Sequence, residues 1–144
     1  MKTIYINIKN RLKTEVTSLK WIDLNKQQMR FDKPPVTFPA CLIDLYAPKT
    51  NNITTTLQQG TLLVKINLCF DWTGDRTSNA FSDEVAEDSL QYFDTVEEAT
   101  KALQGFETDE FNELERINVS EPFIRQGYKV IEVSFTSSFR ESFD

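Results

Sequence analysis

Leu62-Leu63-Val64-Lys65-Ile66-Asn67-Leu68-Cys69-Phe70-Asp71-Trp72 alternates without a break. Leu62, Val64, Ile66, Leu68, Phe70 and Trp72 fall on one side, and Leu63, Lys65, Asn67, Cys69 and Asp71 on the other. Successive side chains of a strand point to opposite faces, so this period of two predicts a long β-strand with one strongly buried face. The run is expected in the middle of a sheet, with Leu62, Val64, Ile66, Leu68 and Phe70 turned toward helices. Gly60 precedes it and Gly74 follows it, where the chain must turn.

Upstream, Ile4, Ile8 and Leu12 recur every four residues, with Lys9, Arg11, Lys13 and Glu15 off that line, which is one apolar stripe of an amphipathic helix. Leu19 to Leu24 suggests a short first strand. Residues 25–38 are polar and punctuated by Pro34 and Pro35, and they read as a long loop. A second strand is expected over 40–46, apolar on both faces except at Asp44, as in strands covered on both sides. Residues 48–52 read as a polar loop, with a strand start over 53–58.

Downstream, residues 73–88 are polar and acidic and read as a loop with helical turns around 83–87. A helix is expected next, with Asp94 as cap and Glu97 completing a capping box. Val96, Ala99 and Leu103 supply its buried stripe, Leu90 and Phe93 extend it backwards, Glu97 and Lys101 form an i,i+4 pair, and Gly105 ends it. A poorly phased strand is expected over 111–119. Gly127 opens a final strand over 128–136, and the tail 137–144 keeps Phe139 and Phe143 to pack back or to dock on a neighbour. This order predicts an α+β fold: a two-layer sandwich with a mainly antiparallel sheet of four to five strands and two helices packed on one face. At 144 residues it is expected to form a single domain, 1–144, with a real core.

The chemistry is sparse. There is no histidine, so the commonest general base and metal ligand is absent. The four glycines are scattered, leaving no phosphate-cradling loop. Asp71, Thr73 and Asp75 do not form a calcium loop, because Gly74 comes too early for its sharp turn. Cys41 and Cys69 each sit in an apolar strand pattern and read as buried thiols, and Trp21 and Trp72 read as core. A net charge of −6 argues against general nucleic-acid binding. Basic residues gather before residue 21 and carboxylates over 83–115, a sign split suited to self-association through unlike faces. Asn7 and Lys9 interrupt any signal-peptide core, so a cytoplasmic origin is expected, and no apolar stretch approaches membrane-spanning length. No catalytic residue, cofactor site or metal site is expected.

The order of segments carries a resemblance. A helix is followed by Trp21-Ile22-Asp23, a polar stretch with Gln27-Gln28, and Phe-Pro-Ala-Cys-Leu-Ile-Asp at 38–44. The long strand after Gly60 comes next, then a helix ending Ala-Leu-Gln-Gly-Phe at 102–106, Leu114-Glu115-Arg116, and a last strand ending Ser-Phe-Thr-Ser-Ser-Phe at 134–139. Over nearly its whole length the chain resembles the tail terminator or tail-completion (neck) proteins of long-tailed bacteriophages and prophages. The resemblance implies a non-enzymatic virion protein of the tail or neck, assembled in the host cytoplasm, whose copies form a ring, commonly a hexamer. It implies tail-tube and head–tail connector proteins as partners, DNA passing through the lumen without specific binding, no cofactor and no membrane. The other reading is a small non-catalytic binding module acting as monomer or dimer. Under the ring reading the candidate interface residues are Asp83, Glu84, Glu87 and Asp88 in the acidic stretch, with Phe139 and Phe143 in the tail.

Overall fold

The computed structural model describes residues 1–71 and 90–144. Helix α1 (Lys2–Glu15) is followed by β1 (Trp21–Leu24), a 3-10 turn (Gln28–Arg30), β2 (Ala40–Asn52) and β3 (Leu57–Asp71). Helix α2 (Gln91–Leu103), β4 (Glu115–Val119), β5 (Phe123–Arg125) and β6 (Tyr128–Ser142) complete the described chain. The strands form one sheet in the order β1-β2-β3-β6-β4, with β5 beside β4 on the same flank of β6. All pairings are antiparallel except β1 with β2. The α+β sandwich is therefore as expected, with six strands in place of four to five.

The alternating run does lie mid-sheet as far as Asp71, as β3 between β2 and β6. Leu62, Val64, Ile66 and Leu68 are fully buried, and Phe70 packs against their edge. They meet the stripes of both helices: Ile4, Ile8 and Leu12 from α1, and Ala99, Ala102 and Leu103 from α2. Cys41, Ile43, Ile131, Val133 and Phe135 fill in from the flanking strands. One helical layer on one sheet face thus makes the main core, the arrangement that removes most apolar surface from water for a chain of this size.

The opposite face is not bare. The segment leaving β1 crosses it, and Met29, Val36 and Phe38 cover a smaller cluster of Ala40, Leu42, Cys69 and Val130. The buried Gln28 amide fixes this crossing by donating to the Leu24 carbonyl at 3.0 Å and accepting from the Lys26 N–H at 2.7 Å. Residues 25–38 read as loop because their apolar residues follow no period. The crossing returns the chain to the start of β2, so β1 pairs in parallel with β2 and does not form a hairpin with it. The two cysteines lie on opposite faces, Cys41 in the main core and Cys69 in the smaller cluster, and both are free thiols.

Several boundaries are corrected. The polar stretch 48–52 belongs to β2, and β3 begins at Leu57, so β2 and β3 form a long hairpin turned by residues 53–56. Thr54 Oγ1 closes that turn by accepting from the Leu57 N–H at 3.1 Å. From Pro48 to Asn52 the β2 arm of the hairpin is exposed on both faces, so no alternation marks it. A register shift between Tyr46 and Lys49 accommodates Pro48, which cannot donate to the ladder. Gly60 is needed there for close approach, since a Cβ would collide with the Lys49 carbonyl oxygen. The last strand likewise runs on to Ser142 because β6 pairs along all of β3. The strand at 111–119 is confined to Glu115–Val119, preceded by a lone bridge between Phe111 and Phe139.

Asp94 does not cap α2. That helix starts at Gln91 with Leu90 as its N-cap, Asp94 sits in its first turn, and no side chain caps it. Thr95, Ala99, Ala102 and Leu103 form its buried stripe, with Val96 partly buried and Leu90 and Phe93 exposed. Glu97 pairs instead with Lys101 at 3.1 Å, as expected. Gly105, at φ +77°, stands just past the helix in the left-handed conformation. Gln126 and Gly127 both take positive φ, as a two-residue type I′ hairpin between β5 and β6 demands. Trp21 is not core: it lies on edge strand β1 and is 38% exposed. Trp72 and the residues 73–88, read from sequence as a loop, lie outside the described residues.

Candidate assembly surfaces

The tail is where sequence and structure part most clearly. Phe139 continues the inward-facing series of β6 after Ile131, Val133 and Phe135, and it is 3% exposed within the main core. It is corrected from candidate contact residue to core residue, because strand parity turns it under the helical layer. Its strand is held on both sides. Gly60 is its partner in β3, and the Asn112 N–H donates to the Ser138 carbonyl at 2.9 Å. Phe143 differs. The strand has ended, its N–H donates to the Thr56 carbonyl at 2.7 Å, and its ring is 58% exposed. Chain ends meet here too, since the Met1 ammonium lies 2.9 Å from Glu141 Oε1. The other four candidates, Asp83, Glu84, Glu87 and Asp88, lie outside the described residues.

A surface the sequence did not single out is the β4–β5 flank. Every residue of both strands is exposed. Ile117 is 55% exposed and Ile124 51%, with Val119 and Phe123 also open. A β-bulge at Ile117, between the pairs Arg116–Phe135 and Asn118–Ser134, is what spoiled the alternation there. Apolar side chains on a strand edge that no other described strand pairs are costly to leave in water and invite a partner. The opposite flank, β1, also exposes Trp21 and Leu24.

Two concavities accompany these edges. An open groove of about 620 Å³ runs between the outer hairpin and residues 109–112, and its lining includes Lys49, Arg140, Asp109 and Glu110. A smaller cavity of about 220 Å³ lies on the second sheet face, beside the segment that covers it, walled by Met29, Leu42 and Val130 and lined also by Asn67, Arg125 and Glu132. Asn67 is the best-held polar group here. Its amide donates to the Leu42 carbonyl at 2.8 Å and to Asp44 Oδ2 at 2.9 Å, and Asn25 donates to the same carboxylate oxygen at 3.0 Å.

The groups with displaced pKa values do not assemble a reactive centre. Burial pushes the Cys41 thiol well up, with Cys69 adding to the shift, and burial pushes Cys69 up to about 12. Thiols held protonated are poor nucleophiles and poor metal ligands. Tyr5 is raised by burial and by Asp23, and Lys129, lowered by burial, stands 4.1 Å from the Tyr92 ring centre. Among the described residues no three His, Cys, Asp or Glu side chains converge as a metal site, and no helix is long and apolar enough to cross a membrane.

No family model matches the chain, and no curated protein does. Its fold has a solved counterpart. A chain from the virion of a native gene transfer agent (GTA) particle is similar over 92% of this chain and 91% of that one, with a TM-score of 0.52 and 11% sequence identity. At that identity the likeness is one of fold.

Proposed function

We propose that the protein is a structural virion component, a tail terminator or neck subunit whose copies form a ring that caps the tail tube and joins it to the head. The observation that carries this reading is the fold likeness, over more than nine-tenths of both chains, to a chain of a gene transfer agent virion. The segment order and the two apolar sheet edges support it, because a ring subunit must carry complementary heterologous faces that close. The reading is non-catalytic and needs no cofactor. The acidic stretch 83–88 and Phe143 remain its candidate contact residues. The test is removal of the gene from the phage or prophage that encodes it. Unjoined heads and tails, or overlong tails, are expected, and normal virions would end the reading.

The second reading, a small binding module acting as monomer or dimer, is favoured by the 220 Å³ cavity with its apolar walls and few polar ends. Under that reading loss of the gene leaves particle morphology unchanged.

A further inference from the structure

We infer that the cavity of about 220 Å³ on the second sheet face binds a short apolar carboxylate, its hydrocarbon against Met29, Leu42 and Val130 and its carboxylate with Arg30 and Arg125. This names the ligand class for the binding-module reading and rests on that reading.

The walls come from the crossing segment, the sheet beneath it and β5. Met29 belongs to the segment that leaves β1, and Leu42, Cys69 and Val130 are buried members of the smaller cluster that it covers. β5 contributes Phe123 and Arg125, which pair with Val130 and Tyr128 of β6. An Arg125 N–H donates to the Arg30 carbonyl at 3.3 Å, so the crossing segment and β5 meet at this cavity. Apolar walls with a few polar groups suit a small-ligand site, and a volume below the ~300 Å³ of drug-sized pockets limits the occupant to a short one.

The charges select its head group. Among the described residues, the charged side chains lining the cavity are Arg30, Arg125 and Glu132. Glu132 is already paired with Lys65 at 3.9 Å. Asp44, beyond Asn67, is likewise satisfied, accepting from Asn67 at 2.9 Å and from Asn25 at 3.0 Å. The Cys69 thiol adds no charge, since burial holds it protonated. Neither guanidinium has an ion pair among the described residues, and the bond to the Arg30 carbonyl uses one of the N–H donors of Arg125. Two guanidiniums lining one cavity repel each other until an anion joins them, and a carboxylate can take two parallel N–H bonds from such a group. A cation would meet two positive charges here, and a neutral alcohol would leave both without a counter-ion.

The chain has two methionines, Met1 and Met29, so protein isotope-labelled at the methionine methyl groups carries one NMR reporter in the cavity wall and one outside it. Titrating the full chain with hexanoate should move the Met29 signal saturably and leave Met1 in place. Hexanol should bind about tenfold or more weakly, in line with the worth of a hydrogen bond to a charged group, and hexylamine should not bind. The Arg30→Gln/Arg125→Gln variant, altered at two exposed positions, should lose the preference for hexanoate over hexanol. If that variant misfolds, wild type at raised salt answers the same question, because hexanoate should weaken and hexanol should not. The inference is overturned by the lack of a saturable Met29 shift with hexanoate, by equal binding of hexanol or hexylamine, or by a preference that survives both substitutions. A peptide of residues 141–144 that moves Met29 at lower concentration than hexanoate also overturns it, since the acid-and-apolar chemistry would then come from a second copy's tail. Failure of the inference and of the reading beneath it are distinct. Hexanol binding as well as hexanoate ends the carboxylate assignment and leaves a binding module, whereas defective particles on gene removal end the binding-module reading whatever Met29 does.

Discussion

Phe139→Ala and Phe143→Ala, four residues apart on one tail, should behave as opposites. Phe139 is buried beneath the helical layer, bridged to Phe111 and held in the β3–β6 ladder, whereas Phe143 projects into solvent beyond the strand. Removing a buried phenylalanine ring loses its transfer free energy, about 1.5–3 kcal/mol, and leaves a cavity that the surrounding core fills only partly. The total is about 3–5 kcal/mol, a large share of the ~5–15 kcal/mol that holds a domain folded. For a chain of 144 residues the unfolding entropy near the midpoint is about 0.3 kcal/mol/K, so Phe139→Ala should lower Tm by about 10–17 °C. Phe143→Ala should change stability by no more than about 0.5 kcal/mol, or ~2 °C. Differential scanning calorimetry of the two proteins decides the matter. Equal losses, or a loss under about 1 kcal/mol at Phe139, would refute the parity argument that places one ring inside and the other out. It follows that deleting 139–144 removes core, so a test of the tail as a contact should delete 143–144 only.

Further outcomes follow from the same geometry. Ile66→Ala, at a fully buried position of β3, should cost about 2–5 kcal/mol in urea denaturation, and a loss under about 0.5 kcal/mol would contradict its central place. Gly60→Ala forces a methyl against the Lys49 carbonyl and should cost about 1–3 kcal/mol, whereas free tolerance would mean the hairpin is not closed there. Both thiols have raised pKa values when folded, so the native state holds protons that the unfolded state releases. Their contribution is full below pH ~9 and falls as pH rises toward 12, by up to about 1.4 kcal/mol per pH unit for each thiol. The Cys41→Ala/Cys69→Ala variant should show a correspondingly shallower alkaline loss, and an identical slope would count against the burial of the thiols.

The fold was legible where the sequence keeps a period. Ile4, Ile8 and Leu12 repeat at helical spacing and line one side of α1, and the alternation from Leu62 to Asp71 specifies the strand that β2 and β6 flank. Legibility failed where residues obey a constraint other than burial. The outer β2 arm of the β2–β3 hairpin is exposed on both faces, so its ladder has no sequence signature, and Pro48 looks like a break where it marks a bulge. Asp94 and Glu97 have the spacing of a capping box, but the helix begins at Gln91 with Leu90 as its N-cap, and Glu97 reaches Lys101. Met29, Val36 and Phe38 cover the second sheet face at irregular intervals, which no periodic reading detects.

The surfaces proposed for assembly illustrate the same limit from the other side. Catalysis leaves a chemical mark, because it needs groups such as histidine or paired carboxylates in fixed proximity. An assembly edge needs only apolar side chains left unburied, and in sequence these look like a strand that failed. Ile117, Val119, Phe123 and Ile124 read as a poorly phased stretch, because a bulge and a proline break their alternation and no helix covers them. Among the described residues they join neither core cluster. Phe139 erred in the opposite direction, since an aromatic in an uncertain tail suggests an anchor until the ladder shows its strand continuing. The two cases share one physical cause. Whether an apolar residue serves the core or a neighbour depends on which strand edge or face it occupies, and that is fixed by long-range pairing with β6, not by its own sequence neighbours.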